Sequence, residues 1–240
     1  MQCSLRTIQR ALSTCKLRYR NLKQNIVLSN EHKERRIQNI QEWIDQGICF
    51  QDVIFTDEKR FRYDGPDNYS SWCFDDEKGS RNKRQMCGGG IMVHGTLASD
   101  GYLRLVRVDG NLNGDKYQDI LNDLFAILKR KYKKFYFMHD GASAHTCFTV
   151  TDFINSKRVK VLHWPPRSPD LNIIENVWHL ICEKVYDGPK FHSKDDLWKA
   201  VLCASEDLQK NHKDILRSLY TSISKRLIDV IKRNGDICNY

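Results

Sequence analysis

The 240-residue sequence is 40% hydrophobic and 29% charged, which suits one sizeable core and excludes an intrinsically disordered chain. Its 39 Lys and Arg against 30 Asp and Glu give a formal charge of +9, a balance that favours a polyanionic partner such as nucleic acid. No run approaches the roughly 18 apolar residues of a membrane span, and "MQCSLRTIQR" lacks the apolar core of a secretion signal. The 9 scattered cysteines include no C-x-x-C pair, so they are read as reduced thiols, mostly small core residues, and not as a zinc site.

Leu5, Ile8 and Leu12 recur at helical spacing, so residues 1–15 are read as part of a helix, and the basic "KLRYRNLK" after them as a linker. Ile37, Ile40 and Trp43 predict a helix through "SNEHKERRIQNIQEWIDQG", with Ser29 or Asn30 as its N-cap and Gly47 past its end. "DVIFTDE" is a short β-rich run, and "RFRYDG" alternates before a glycine turn. Two strands folded back at Ser99-Asp100-Gly101 are predicted in "IMVHGTLASDGYLRLVRV". Tyr117, Ile120, Leu121, Leu124 and Leu128 share one face of the next helix, and "FYFMHD" is apolar enough for an interior strand. A helix over "TCFTVTDFINSK" and a fifth strand in "VKVLHWP" follow. A helix then buries Ile174, Val177, Trp178 and Ile181, and two further helices close the chain. Three antiparallel-type strands, then helix, strand, helix, strand, helix, predict an α/β domain with a ribonuclease H-like mixed sheet flanked by helices. The domain reading is a helical DNA-binding remnant and basic linker over 1–24, a connecting helix over 25–48, and the ribonuclease H-like domain over 49–240.

Three acids hold comparable places. Asp57 ends "VIFTD", Asp140 ends "FYFMHD", and Glu175 opens the helix after "WPPRSPDLN". Ligand sites of open sheets gather beyond strand ends, where two such carboxylates can face one another. Hard oxygen ligands of this kind suit Mg²⁺, and a pair of ions about 3.5–4 Å apart can drive an in-line phosphoryl displacement. Each acid also has a structural reading. Asp57 can simply end a strand, with Glu58 or Asp52 in its place; Asp140-Gly141 is a turn pair; Asn172 and Glu175 have capping-box spacing. Periodicity alone leaves both readings open.

"FTDEKRF", "CGGGIMVHG", "HDGASAH" and "WPPRSPDLNIIENVW", in that order, resemble the catalytic domain of Tc/mariner-type DDE transposases. Positions 141–174 separate the second acid from the third, and the third is Glu, both as in the Tc branch. The likeness runs from about residue 4 to the end. It implies that Asp57, Asp140 and Glu175 are metal ligands for two Mg²⁺ ions, with Mn²⁺ as a substitute. It further implies hydrolytic nicking at transposon ends, then attack of the freed 3′-hydroxyl on target DNA. Terminal inverted repeats and target DNA would be the double-stranded partners, a homodimer the working form, and the nucleus the location. Departures from the family pattern are Gly141 where Asn is common, Ile173 for Pro, and His94 for an aromatic.

The stretch "SLRTIQRALSTCKLRYR" resembles the end of the family's second helix-turn-helix, which makes Arg6, Gln9 and Arg10 candidate base-reading residues. Met1 falls inside that region, so the resemblance implies a truncated copy. The alternatives are a decayed or domesticated copy that only binds DNA, and another two-metal nuclease on the same fold. His145 matches a family histidine and is an auxiliary candidate, as a donor near metal or phosphate or as helix-start packing. His139 and His163 are read as satisfied core histidines. Lys129, Arg130 and Lys131 of "KRKYKK" are candidates for DNA phosphate contacts, or a solvated helix end facing the C-terminal dipole.

Overall fold

Val53, Ile54, Phe55 and Thr56 are all buried at the start of β2 (Val53–Arg62), the middle strand of a five-stranded sheet. A strand paired on both edges and covered on both faces has no solvent side, so it reads as a continuous apolar run. The computed structural model describes residues 4–15, 17–21, 27–63, 65, 70–74, 89–187 and 191–238. Within them the sheet adds an antiparallel hairpin on one side of β2, from β4 (Gly90–Leu97) and β5 (Leu103–Val108). On the other side lie β6 (Tyr136–Met138) and β7 (Lys160–Val161), both parallel, for an order of β5-β4-β2-β6-β7. The hairpin turns where predicted, with Gly101 at φ +83°, a conformation open to glycine at little cost.

Side-chain alternation along β2 divides the core in two. Phe55 and Phe61 join Trp178, Ile181, Val201 and Tyr220 beneath α2 (Asn30–Asp45), α6 (Ile174–Val185), α7 (Lys194–Asn211) and α8 (Lys213–Lys232). Ile54 joins Tyr117, Leu121, Leu124 and Phe137 beneath α3 (Gly114–Lys131) and α5 (Phe148–Ser156). The helix predicted around "TCFTVTDFINSK" is thus α5, preceded by the single turn of α4 (Ser143–Thr146). Ser29 caps α2 with its side chain on the backbone N–H of His32, and Gly47 follows the helix at φ +61°, as predicted.

A buried charge fastens α2 to the sheet domain. Arg36, fully buried, donates from Nη1 and Nη2 to the two carboxylate oxygens of Asp170 at 2.8 and 2.6 Å. It also donates from Nη1 to Ser168 Oγ (2.6 Å) and from Nε to the Gly235 carbonyl (2.9 Å). Arg226 of α8 donates to the Asp170 carbonyl (2.8 Å) and to Asn176 Oδ1 (2.7 Å). The "SPDLN" motif is therefore a structural joint between the helix before the sheet and the last helix. A guanidinium is stable without water only when its donors are met in this way.

The structure departs from the sequence reading at several points. Leu17–Asn21, read as linker, is β1, paired antiparallel with the unanticipated β3 (Ser70–Phe74) in a separate two-stranded sheet. Its apolar-basic alternation is a two-residue period that the basic composition hid; Lys16 and residues 22–24 of that linker lie outside the described residues. α1 (Leu5–Thr14) is helical as expected. β2 runs unbroken from Val53 of "DVIFTDE" to Arg62 of "RFRYDG", so Asp57 sits in mid-strand and not at an end. His163 is exposed and is not a core histidine. Among the cysteines whose burial is described, Cys15, Cys49 and Cys203 are exposed and Cys147 half-buried, while Cys182 and Cys238 are buried as expected.

Candidate active site

Strand register brings two of the three acids abreast. Phe55↔Met138 is the last parallel pair between β2 and β6, and Asp57 and Asp140 each lie two positions beyond it. Thr56 Oγ1 donates to the Met138 carbonyl at 2.7 Å and clasps the strands just before they part. Past that clasp β6 ends, while β2 continues with β4 alone, which leaves a notch at the carboxyl edge of the sheet.

Glu175 reaches the notch from the first turn of α6, and Trp178, three residues on, shares its helix face. Trp178 Nε1–H donates to Asp57 Oδ2 at 2.9 Å. Gly95, the cross-strand partner of Asp57, makes that reach feasible, since a Cβ there would fall 2.5 Å from Trp178 Cη2. Burial, then the charges of Glu175 and Glu58, push the Asp57 carboxyl up to about 8, against the Trp178 hydrogen bond. Burial also raises Glu175, with Lys59 pulling it back. The capping box suggested for Glu175 does not form: Ile173 precedes α6 without a side-chain cap. Asn172 Nδ2 instead lies 3.5 Å from the Thr56 carbonyl, tying the loop before Glu175 to the residue before Asp57.

Asp140 is held from the other side. Its Oδ1 accepts the backbone N–H of Ala142 (3.0 Å) and lies 2.6 Å from His145 Nδ1. The turn reading of Asp140 is thus partly right, although Gly141 is not at positive φ. The His145 hydrogen bond draws the Asp140 carboxyl below its usual value. Burial would lower His145, but the carboxylates of Asp140 and Glu58 outweigh it and push the imidazole up to about 10. His139 sits on the same cluster with Nδ1 3.0 Å from the Tyr117 hydroxyl, and burial brings it down to about 4.

The structure therefore brings Asp57 and Glu175 into electrostatic contact and sets Asp140 beside them in register, with its carboxylate turned to His145. Among the described residues no three His, Cys, Asp or Glu side chains converge as a ready-made metal site. The donor chemistry nonetheless fits a hard divalent cation: two half-buried carboxyls whose anions are disfavoured, Asp57 by burial and then by Glu175, Glu175 by burial, are groups that a cation relieves. Glu58, considered in the sequence only as a stand-in for Asp57, faces the opposite side of β2, against His145 and His94. Strand alternation was the signal that separates the two.

The proposed DNA contacts lie elsewhere. Arg6 and Arg10, one helical turn apart on α1, are exposed, and Gln9 shares that helix. Lys131 pairs with Asp100 (2.9 Å) over the Tyr102 ring (4.0 Å), and Lys129 donates to the Lys157 carbonyl (2.5 Å). Arg130 Nε donates to the Ala126 carbonyl at 3.2 Å. These bonds give the basic helix end a structural use of its own.

A mixed parallel-antiparallel sheet in the order β5-β4-β2-β6-β7, flanked by helices, is a ribonuclease H-like fold. The fold matches the catalytic domain of Mos1 mariner transposase at a TM-score of 0.69 and 17% identity, covering 90% of this chain and 100% of that one. A Mos1 transposase paired-end complex with left transposon end matches at 0.68 and 19% identity, covering 97% and 71%. The family described as DDE superfamily endonuclease matches residues 52–198, and the chain belongs to that family. The Tc3 transposase of Caenorhabditis elegans is 32% identical over 219 residues, 89% of this chain and 65% of that protein. The Tc1 transposase of the same organism is 25% identical over 260 residues, 99% and 88% respectively. These relatives bear out the Tc/mariner resemblance of the four motifs, and the chain spans 65% of the Tc3 relative's length.

Proposed function

We propose that the chain is the catalytic part of a cut-and-paste DNA transposase, which cleaves DNA at transposon ends and joins the freed 3′ ends to a target. The observation that carries this reading is the register of Asp57 with Asp140 past the last β2–β6 pair, with Glu175 delivered beside Asp57 by α6. Asp57, Asp140 and Glu175 are the proposed ligands of divalent cations, Mg²⁺ first and Mn²⁺ as substitute. Mos1 catalytic-domain structures are described with Mg and with Mn, which supports the choice. Bound there, such cations supply activation of the attacking oxygen and stabilisation of the leaving one.

The chain's own residues prepare that site. Trp178 holds the Asp57 carboxylate with one N–H, and His145 holds Asp140. Asn172 links the loop before Glu175 to β2. Groups fixed before the reaction need no reorganisation during it, which is where electrostatic catalysis gains most. The proposed partners are the terminal inverted repeats and target DNA; a Mos1 paired-end complex with a transposon end and a Mos1 strand transfer complex support DNA as the partner. A homodimer that pairs two ends, acting in the nucleus, completes the proposal.

Nicking of supercoiled plasmid in Mg²⁺ or Mn²⁺ tests it. Wild type is expected to nick only with the cation, and Asp57→Asn, Asp140→Asn and Glu175→Gln each to lose at least about 100-fold of that rate. Equal nicking by wild type and all three variants contradicts the assignment. Metal-dependent DNA binding without nicking favours the copy that only binds DNA.

A further inference from the structure

Glu58 is the residue of the "FTDEKRF" motif that the proposed chemistry leaves unused. It follows Asp57 on β2, so alternation turns it to the opposite face, beneath α3 and α4, where it pairs in register with His94. Its Oε1 is buried without a hydrogen-bond partner, as are His145 Nε2 and both ring nitrogens of His94. These atoms face one another: Glu58 Oε1 lies 3.4 Å from His145 Nε2 and 3.8 Å from His94 Nε2. The other nitrogen of His145 is the one on Asp140, at 2.6 Å.

Packing leaves the His145 ring little choice of place. It is 3% exposed, stacked on Tyr117 with centroids 4.1 Å apart, and stacked on His139 at 5.4 Å. Buried against these two neighbouring rings, the imidazole keeps the half-turn that exchanges nitrogen for carbon at each edge. That half-turn would put carbon against Asp140 and carbon against Glu58 together. A carboxylate at Nε2 therefore selects the orientation in which Nδ1 meets Asp140.

We infer that Glu58 is a positioning residue of the acid site: acting through His145, it fixes the Asp140 carboxylate for metal binding. The inference rests on the reading of Asp140 as a metal ligand. Partners of this kind behind a ligand typically govern about 10- to 100-fold of metal affinity.

Calorimetric titration with Mn²⁺, paired with thermal melts, tests it on the full chain. Glu58→Leu fills the space without an acceptor and is expected to weaken Mn²⁺ binding about tenfold. Glu58→Gln keeps an acceptor and is expected to stay within about threefold of wild type. His145→Ala is expected to match Glu58→Leu, and the Glu58→Leu/His145→Ala double variant to be no weaker than His145→Ala alone. Two results overturn the inference. One is Glu58→Leu binding as wild type does while Asp140→Asn abolishes binding; the other is an undiminished Glu58→Leu effect in the His145→Ala background. Wild-type Mn²⁺ affinity in Asp140→Asn would contradict the metal-ligand reading itself, a separate failure.

Discussion

Burial and the neighbouring Glu175 and Glu58 disfavour the charged form of Asp57, and Trp178, reaching over Gly95, opposes them with one hydrogen bond. Trp178→Phe removes the donor but leaves most of the packing. It is expected to slow metal-dependent nicking about tenfold while the melting midpoint moves by no more than a few degrees. Equal rates for the two proteins would show that the bond does not serve the site. Gly95→Ala attacks the same contact from the sheet. Its methyl would meet the Trp178 ring, and such overpacking costs about 1–3 kcal/mol, readable by denaturant unfolding. At this scale the ordered motifs single out the three acids, although Asp57 lies in mid-strand and not at the strand end from which it was read. The grip on each acid was not legible. Trp178 was read only as core filling, and the Glu58–His145 approach joins residues from separate elements that no local period connects.

Among the elements, the joint of α2, the 168–172 loop and α8 carries the firmest consequence. Arg36→Met strands Asp170 without its cation, and breaking a buried pair in this way costs about 3–5 kcal/mol. A fall of roughly 10 °C in the melting midpoint is expected for a chain of this size; a melt like that of wild type would contradict the joint. The pair also sets a pH dependence. Burial works to raise the Asp170 carboxyl, but hydrogen bonds and charge from Arg36 outweigh it and hold the group below its ordinary 3.8. A depressed folded-state value means stability that is full above 3.8 and is lost as pH falls through the lower value. Melts from pH 7 to pH 3 should therefore fall more steeply at the acid end for wild type than for Arg36→Met. The helices were legible from their apolar stripes and caps, Ser29 and Gly47 among them. β1 and β3 were not, since among the described residues they form a separate two-stranded sheet and strand pairing between distant segments leaves little local trace.

For the whole molecule, the formal charge of +9 predicts DNA binding that weakens with salt, by about 0.9 in the log–log slope for each phosphate neutralised. Lys131 is already committed to Asp100, so Lys131→Gln should leave that slope unchanged, whereas a fall of about one would assign it to a phosphate. The architecture was legible because the apolar run of β6 marks an interior strand, which lies between β2 and β7, and because the strand and helix order admits few sheets. What places the acids, the two-residue overhang beyond Phe55↔Met138, depends on register and becomes visible only in the folded sheet. The central claim is that this overhang and α6 make one metal-dependent phosphoryl-transfer centre. Strand transfer tests it most directly: linear duplexes with free 3′-hydroxyls are mixed with supercoiled plasmid and Mg²⁺ or Mn²⁺, comparing wild type with Asp140→Asn. Joined products from wild type alone, and only with the cation, are predicted. Joining that persists in Asp140→Asn, or that needs no cation, would contradict the account.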